Sequence, residues 1–482
     1  MRERISEVVE RIVAEGLLLH VFSLVGFALA LFLVARLLRE KRAPANTFAW
    51  LLAILLLPWV GVPLFLIFGG RKIRRLADQK TPVRPTLPAV AAHPAEFTGA
   101  PIAHTMISAG AAPPVAGNSL RFLTTGEDAY AELERQIRAA RHTIHITTFI
   151  LGRDDTGRRI VRLLAERARE GVKVRLLLDA IGCLFTSGSF VRPLREAGGE
   201  VGRFMPVMPF SSRGSANLRN HRKIAVFDHC TAIVGGHNLA REDMGPDHLT
   251  QRWHDFGAVI EGPAAALLND VFIADWCFAT RQSAETLRAA VPDNVVVSRG
   301  GAELQVVASG PDVPGDPLYE GIVCMIQEAR KNIWIVTPYF IPDEVLLRSL
   351  IVKSRAGVEV TLIVPARSNH PLTDLARRSY LGELERAGAR VLLFTPGMLH
   401  SKAVIVDDCV GLLGSANFDL RSLFVNFEIG VVVHTAADAR AMKMWALTLA
   451  QQCRELKTEP PKKFRVLGEL AEDLSRLIAP LL

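Results

Sequence analysis

His221-Arg222-Lys223-Ile224-Ala225-Val226-Phe227-Asp228 and His400-Ser401-Lys402-Ala403-Val404-Ile405-Val406-Asp407 share one pattern: His-x-Lys, four residues, then Asp. The apolar run after each lysine reads as a buried strand. Side chains alternate along a strand, so His221 shares a face with Lys223, and His400 with Lys402. Asp228 and Asp407 fall on the opposite face, at the strand end. Each stretch thus sets a group that titrates near neutrality beside a fixed cation.

The connections His229-Cys230 and Asp408-Cys409 read as two-residue hairpin turns. That register pairs 228 with 231 and 407 with 410. Counted outward, it sets Asn238 across from His221 and Asn417 across from His400. Downstream, each half supplies a carboxylate, Asp255 in Trp253-His254-Asp255 and Glu428 in Asn426-Phe427-Glu428.

These residues resemble the phospholipase D superfamily, marked by paired His-x-Lys-x4-Asp motifs each followed by Gly-Gly/Ser-x-Asn. Gly414-Ser415-Ala416-Asn417-Phe418-Asp419, Asn426-Phe427-Glu428 and Thr337-Pro338-Tyr339-Phe340-Ile341-Pro342 are similar to bacterial cardiolipin synthases in particular. The resemblance spans nearly the whole chain. It departs at Phe149, where a tyrosine like Tyr339 is expected, and at Ala366–His370, which lacks an acidic residue.

The 482 residues hold several domains' worth of apolar sequence, 49% hydrophobic. A mean hydropathy of +0.23 asks for membrane segments. The formal net charge of +8 suits an anionic partner, nucleic acid or acidic lipid. Six dispersed cysteines, without a CxxC pair, read as reduced thiols. His221, His229, Cys230, His237, His248 and His254 are dense, but lack zinc-finger spacing and recur nowhere in the second half, so no metal is assigned.

Along the chain, residues 1–75 read as a membrane anchor with two transmembrane helices, 16–35 and 47–70, because both runs lack Asp, Glu, Lys and Arg. Basic residues outside the intervening loop outnumber those within it, which places the large domain in the cytosol. Residues 76–118, rich in Pro, Ala and Gly, read as a linker. The rest is an internal repeat. Gly171–Asp179 echoes Gly357–Pro365, and the two motif histidines are 179 residues apart, as are the two asparagines. The expected fold is α/β: one sandwich over 119–295 and another over 296–455, related by a pseudo-twofold that brings both His-Lys pairs to one seam. Each half is expected to run helix, strand, helix, strand, helix, hairpin. Residues 456–482 form an amphipathic helix in this reading.

The candidate catalytic set is His221, Lys223, Asp228, His400, Lys402 and Asp407, with Asp228 and Asp407 bracing the hairpins. Asn238, Asn417, Ser415, Asp255 and Glu428 support it or bind substrate, the last two holding the imidazole tautomers. Arg203, Arg213, Arg219 and Arg222 are candidates for lipid headgroups. The apolar stretches Met205–Phe210 and Ile181–Phe190 are candidates for acyl chains. The resemblance implies a phosphatidyltransferase of the bacterial inner membrane that needs no cofactor. It would move a phosphatidyl group between two phosphatidylglycerol molecules through a phosphohistidine, giving cardiolipin and glycerol, with His221 as nucleophile and His400 as acid, then base. The alternatives are a hydrolytic phospholipase D, another acceptor lipid, a phosphodiesterase or nuclease, and a non-catalytic lipid-binding scaffold. The membrane tether argues against nucleic acid, and the sequence carries no signal of oligomeric state.

Overall fold

Seventeen strands occur among the described residues, in two near-copies of one series. The computed structural model describes residues 26–28, 31–35, 44–57, 59–62, 65, 80, 100–206, 218–288 and 297–457. The first series is β1 (Val115–Leu123), β2 (Thr143–Thr148), β3 (Lys173–Asp179), β4 (Glu200–Phe204), β5 (Ile224–Phe227), β6 (Thr231–Gly235) and β7 (Gly257–Glu261). The second is β8 (Ala302–Ser309), β9 (Asn332–Val336), β10 (Phe340–Ile341), β11 (Glu359–Pro365), β12 (Arg390–Phe394), β13 (Ala403–Val406), β14 (Val410–Gly414), β15 (Phe418–Asp419), β16 (Glu428–Val433) and β17 (Cys453–Glu455).

Fifteen strands form one sheet, ordered β4-β3-β2-β5-β6-β7-β1-β8-β16-β14-β13-β9-β11-β12-β17. Read outward from the β1–β8 pair, both arms run in the same relative order, as a pseudo-twofold requires. The motif strands β5 and β13 sit inside their arms, antiparallel to β2 and β9. Sequence explains the placement, since β2, β9 and β11 are largely apolar or threonine and, like β3 with its Leu176-Leu177-Leu178 run, are buried on both faces beyond any exposed first residue. Helices 126–139 and 155–169 cover the first arm, each with one apolar face and a side-chain cap, Thr125 and Asp154. Helix 344–355 repeats the device with Asp343.

One apolar cluster draws on both repeats: Ile224, Val226 and Phe256 from the first join Ile405, Leu413 and Trp445 from the second. Phe256 stacks on Trp445 at 3.8 Å between ring centroids. Each such buried side chain is worth about 1.5–3 kcal/mol. The seam is therefore apolar core with the polar site at its mouth.

Several expectations change. The hairpin loops hold three residues, not two: Phe227 pairs with Thr231 and Val406 with Val410. Asp228 and His229 both have positive φ, as do Asp407 and Asp408, and this left-handed pair takes up the extra residue. The stretch 76–118 is not all linker: helix Ala100–Ser108 buries Ile102, Ala103 and Met106, and β1 opens at Val115. β4 and β12 add a strand per repeat before the hairpin. The first reads Glu-Val-Gly-Arg-Phe, too polar to signal a strand, because it lies at the sheet edge.

Residues 1–73 form a separate unit. It contains helix Pro44–Leu56 and a small cluster of Leu33, Ile54, Val62 and Phe65. Among the described residues, no helix is long and apolar enough to cross a membrane. Most of 16–35 and part of 47–70 lie outside the described residues, as does the expected helix 456–482 apart from 456 and 457.

Candidate active site

The segment entering each motif strand pairs with the other repeat. His221 N–H donates to the Phe427 carbonyl at 2.9 Å, and Phe427 N–H donates to the Arg219 carbonyl at 2.9 Å. In the mirror position, His400 N–H donates to the His254 carbonyl and His254 N–H to the Met398 carbonyl, each at 2.8 Å. The residue after each of these bridges is the carboxylate. Glu428 of the second repeat therefore reaches Nδ1 of His221, at 3.0 Å, and Asp255 of the first reaches Nδ1 of His400, at 2.5 Å. With the Nδ1 proton given to a carboxylate, each imidazole keeps its lone pair on Nε2.

The carboxylates are themselves fixed. Ser415 Oγ donates to Glu428. The equivalent position in the first repeat is Gly236, where a Cβ would lie 2.1 Å from Asp255 Oδ1. The shorter carboxylate thus stands against bare backbone and the longer one against a hydroxyl. Phe149 meets His221 edge-on at 5.0 Å, and Trp253 lies 5.0 Å from His400. Phe149 supplies ring packing where the sequence pattern anticipates a hydroxyl, whereas Tyr339 donates to Asn369 Oδ1 at 2.5 Å.

Burial governs the charges. It pushes His400 down to about 3, reinforced by Lys402 and only partly opposed by Asp255. His221 is likewise lowered by burial, despite Glu428. Burial also brings Lys223 down to about 7, against the pull of Glu428. For Asp255 burial is outweighed by Lys402 and His400, and its carboxyl lies well below the usual range. Glu428 is held down by His221 in the same way. Both imidazoles are therefore neutral at pH 7, each on an ionised carboxylate.

The sequence expectations divide clearly. His221, Lys223, His400, Lys402, Asp255, Glu428 and Ser415 converge on the seam. Asp228 and Asp407, placed in the catalytic set by their motif, stand at the far strand ends. The Asp228 carboxylate accepts from the backbone N–H groups of Arg141, His142 and Thr143 at 2.7–2.8 Å. Asp407 does the same for Arg330, Lys331 and Asn332 at 2.7–2.9 Å. Neither touches an imidazole, because each is drawn into anchoring the loop before β2 or β9. Asn238 does not face His221, which pairs with Phe427 instead. Its N–H and Nδ2 both donate to Asp243 Oδ1, at 3.0 and 3.1 Å. The Oδ1 atoms of Asn238 and Asn417 are buried and have no hydrogen-bond partner among the described residues.

Asp243 was not foreseen, since it belongs to no motif. Burial, with Asp255 adding to it, pushes its carboxyl up to about 7, and its Oδ1 lies 4.0 Å from His400 Nδ1. Asp243, Asp255 and His400 are the one trio with metal-ligand spacing among the described residues. Lys402 Nζ, 3.9 Å from Asp255 and 2.9 Å from His400 Nδ1, already supplies the positive charge there. Of the headgroup candidates, Arg222 is fully buried in an ion network, and Arg219 pairs with Asp179 at 3.4 Å on the wall of a cleft. Arg213 and Val207–Phe210 lie outside the described residues. Ile181, Leu184 and Phe185 are exposed on the turn after β3. The cleft, about 290 Å³, is bounded by His221, Phe149, Tyr339, Asn417 and Arg421.

Two mirrored α/β repeats, with paired His-Lys motifs crossed at one seam by the carboxylate contacts, define a two-motif protein of the phospholipase D class. The family described as "Cardiolipin synthase, PLD-like domain" matches residues 133–276 and 322–449, and a phospholipase D-nuclease N-terminal family matches 28–70. The chain belongs to this cardiolipin synthase family. It is 33% identical to a cardiolipin synthase of Geobacillus kaustophilus over 97% of this chain and 95% of that one. It is also 33% identical to cardiolipin synthase A of Pseudomonas entomophila, over 97% and 98%. The crystal structure of a phosphatidylserine synthase from Haemophilus influenzae shares the fold, with a TM-score of 0.59 at 18% identity, over 79% of this chain and all of that one.

Proposed function

We propose that this chain is a phosphatidyltransferase that makes cardiolipin and glycerol from two phosphatidylglycerol molecules. One observation carries the reading: two neutral imidazoles at one seam, each oriented by the other repeat's carboxylate and flanked by a lysine. A phosphodiester anion entering between them offsets Lys223 and Lys402 and raises both imidazole pKa values toward the working range. Nε2 of His221 attacks phosphorus and the phosphorus–oxygen bond to glycerol breaks. His400, protonated on Nε2 once the anion is bound, gives that proton to the departing alkoxide and becomes neutral. The neutral His400 then removes the proton of a second phosphatidylglycerol's hydroxyl, whose oxygen displaces His221 from phosphorus. Lys223 and Lys402 balance charge on the non-bridging oxygens throughout.

Support for the lipid substrate comes from the relatives' names, the apolar side chains exposed on the turn after β3, and the N-terminal unit. That unit turns Phe27, Phe32, Leu56 and Trp59 outward, each more than 60% exposed. In this reading segments 16–35 and 47–70 cross the bacterial inner membrane and the catalytic body lies in the cytosol. Labelled phosphatidylglycerol incubated with the purified protein tests the reaction. Cardiolipin and glycerol are expected in equal amounts; phosphatidic acid as the main product would make the enzyme a hydrolase.

A further inference from the structure

Behind the seam lies a second charged cluster, away from the cleft. Arg222, the middle residue of the first motif, donates to Asp275 Oδ1 at 2.6 Å and lies 3.7 Å from Asp312. Lys80 also binds Asp275, and meets Asp312 Oδ2 at 2.5 Å. The four side chains are at most 1% exposed. They come from four places: the segment ahead of the first repeat, the motif itself, helix Pro263–Thr280, and the loop after β8.

Two cations balance two anions, and the balance is needed. An uncompensated buried carboxylate costs several kcal/mol, so each charge here depends on the other three. Asp312 shows it: burial alone would raise its carboxyl, yet Lys80 and then Arg222 hold it below the ordinary range.

The cluster touches the machinery directly. Arg222 Nε donates to the Glu428 carbonyl at 3.0 Å, and Nη2 to the Ser309 carbonyl at 3.0 Å. Asn220 Nδ2 donates to Asp275 Oδ2 at 2.9 Å, and Asn220 bridges to Phe427. Both cations lie over the Phe427 ring, Lys80 at 4.9 Å and Arg222 at 5.5 Å from its centroid. The residues on either side of His221, and the one before Glu428, are all held from this point.

We propose that Lys80 is a positioning residue: it completes the charge balance of Arg222, Asp275 and Asp312, and so holds His221 in register with Glu428. The segment following the N-terminal unit thereby contributes to the geometry of the seam. The mirror position of Arg222 is Ser401, which only donates to the His254 carbonyl at 2.9 Å, so this support belongs to the His221 side.

The inference rests on the phosphatidyl-transfer reading, and the experiment separates the two. Cardiolipin formation by the wild-type full-length chain is measured first; no product there sinks the reading itself. With product established, Lys80→Met is compared with Lys80→Arg and with Lys80→Met/Asp312→Asn. Lys80→Met should lose at least about tenfold in kcat with KM unchanged, as a near-miss in geometry does. Lys80→Arg should keep most activity. The double variant restores the balance and should recover most of the loss, including the case in which Lys80→Met alone fails to fold. Wild-type kcat in Lys80→Met, or a double variant no better than the single one, overturns the proposal.

Discussion

The Nδ1 atom of His221 lies 3.0 Å from Oε1 of Glu428, a residue 207 positions further along the chain. The reciprocal contact, His400 to Asp255, spans 145 positions the other way. Each imidazole is thus oriented by the repeat that does not carry it, and neither repeat holds a complete dyad. Glu428→Gln should therefore cripple the step performed by His221, and Asp255→Asn the step performed by His400. Each should cut cardiolipin formation by about 100-fold or more, the usual worth of a positioned acid or base. Steady-state kcat reads it; a change only in KM would mean that the carboxylates merely help to bind lipid.

The two histidines are told apart by trapping. His400→Ala, given a substrate whose leaving group needs no proton, should accumulate a labelled phosphohistidine on His221. His221→Ala should form no adduct with any substrate. Peptide mapping that finds the label on His400 would exchange the roles.

Asp228 and Asp407 each satisfy three backbone N–H groups and touch no imidazole. Asp228→Ala should cost about 1–3 kcal/mol of stability. The molecules that remain folded should keep their kcat. Denaturant unfolding and activity per folded molecule check this, and a collapse of kcat at full stability would return Asp228 to the chemistry.

Gly236 has no room for a methyl group, because Asp255 occupies the place. Gly236→Ala should displace Asp255 and lower kcat, whereas Ser415→Ala removes one hydrogen bond from Glu428 and should cost less. Equal losses would show that the asymmetry between the two positions is unimportant.

His145 is buried between the Phe272 ring and the Arg175 guanidinium, and burial pushes it down to about 3 from an ordinary 6.5. Below pH 6.5 the unfolded chain takes up this proton first. Its contribution to stability is therefore complete above 6.5 and is lost as pH falls toward 3, by about 1.4 kcal/mol per pH unit. His145→Gln should flatten the dependence of unfolding free energy on pH across that window by this amount. An unchanged slope would mean that the imidazole is protonated in the fold.

The double motif made much of this legible, because His-x-Lys followed by an apolar run fixes a strand, a face and a chemistry together. The repeat was equally plain in the shared spacing of histidines and asparagines. The hairpin register was not, since the backbone sign at Asp228 and His229 leaves no mark in hydrophobic pattern. Nor were the crossed dyads, which depend on which strands meet at the seam. Lys80, Asp275 and Asp312 were invisible for a simpler reason: they lie far apart in the chain, and no periodicity links them.

The crossed dyads also bear on how the protein is made. His221 leaves the ribosome 207 residues before Glu428, an interval of about 10–40 s at ordinary rates of synthesis. Through that interval its imidazole has no Glu428 to orient it, and until His400 is made it has no second motif histidine either. A nascent chain that stops short of Glu428 therefore lacks the dyad of its first motif. Competence arrives only when β16 has been translated and folded back across the seam, so that strand acts as the molecule's own release signal.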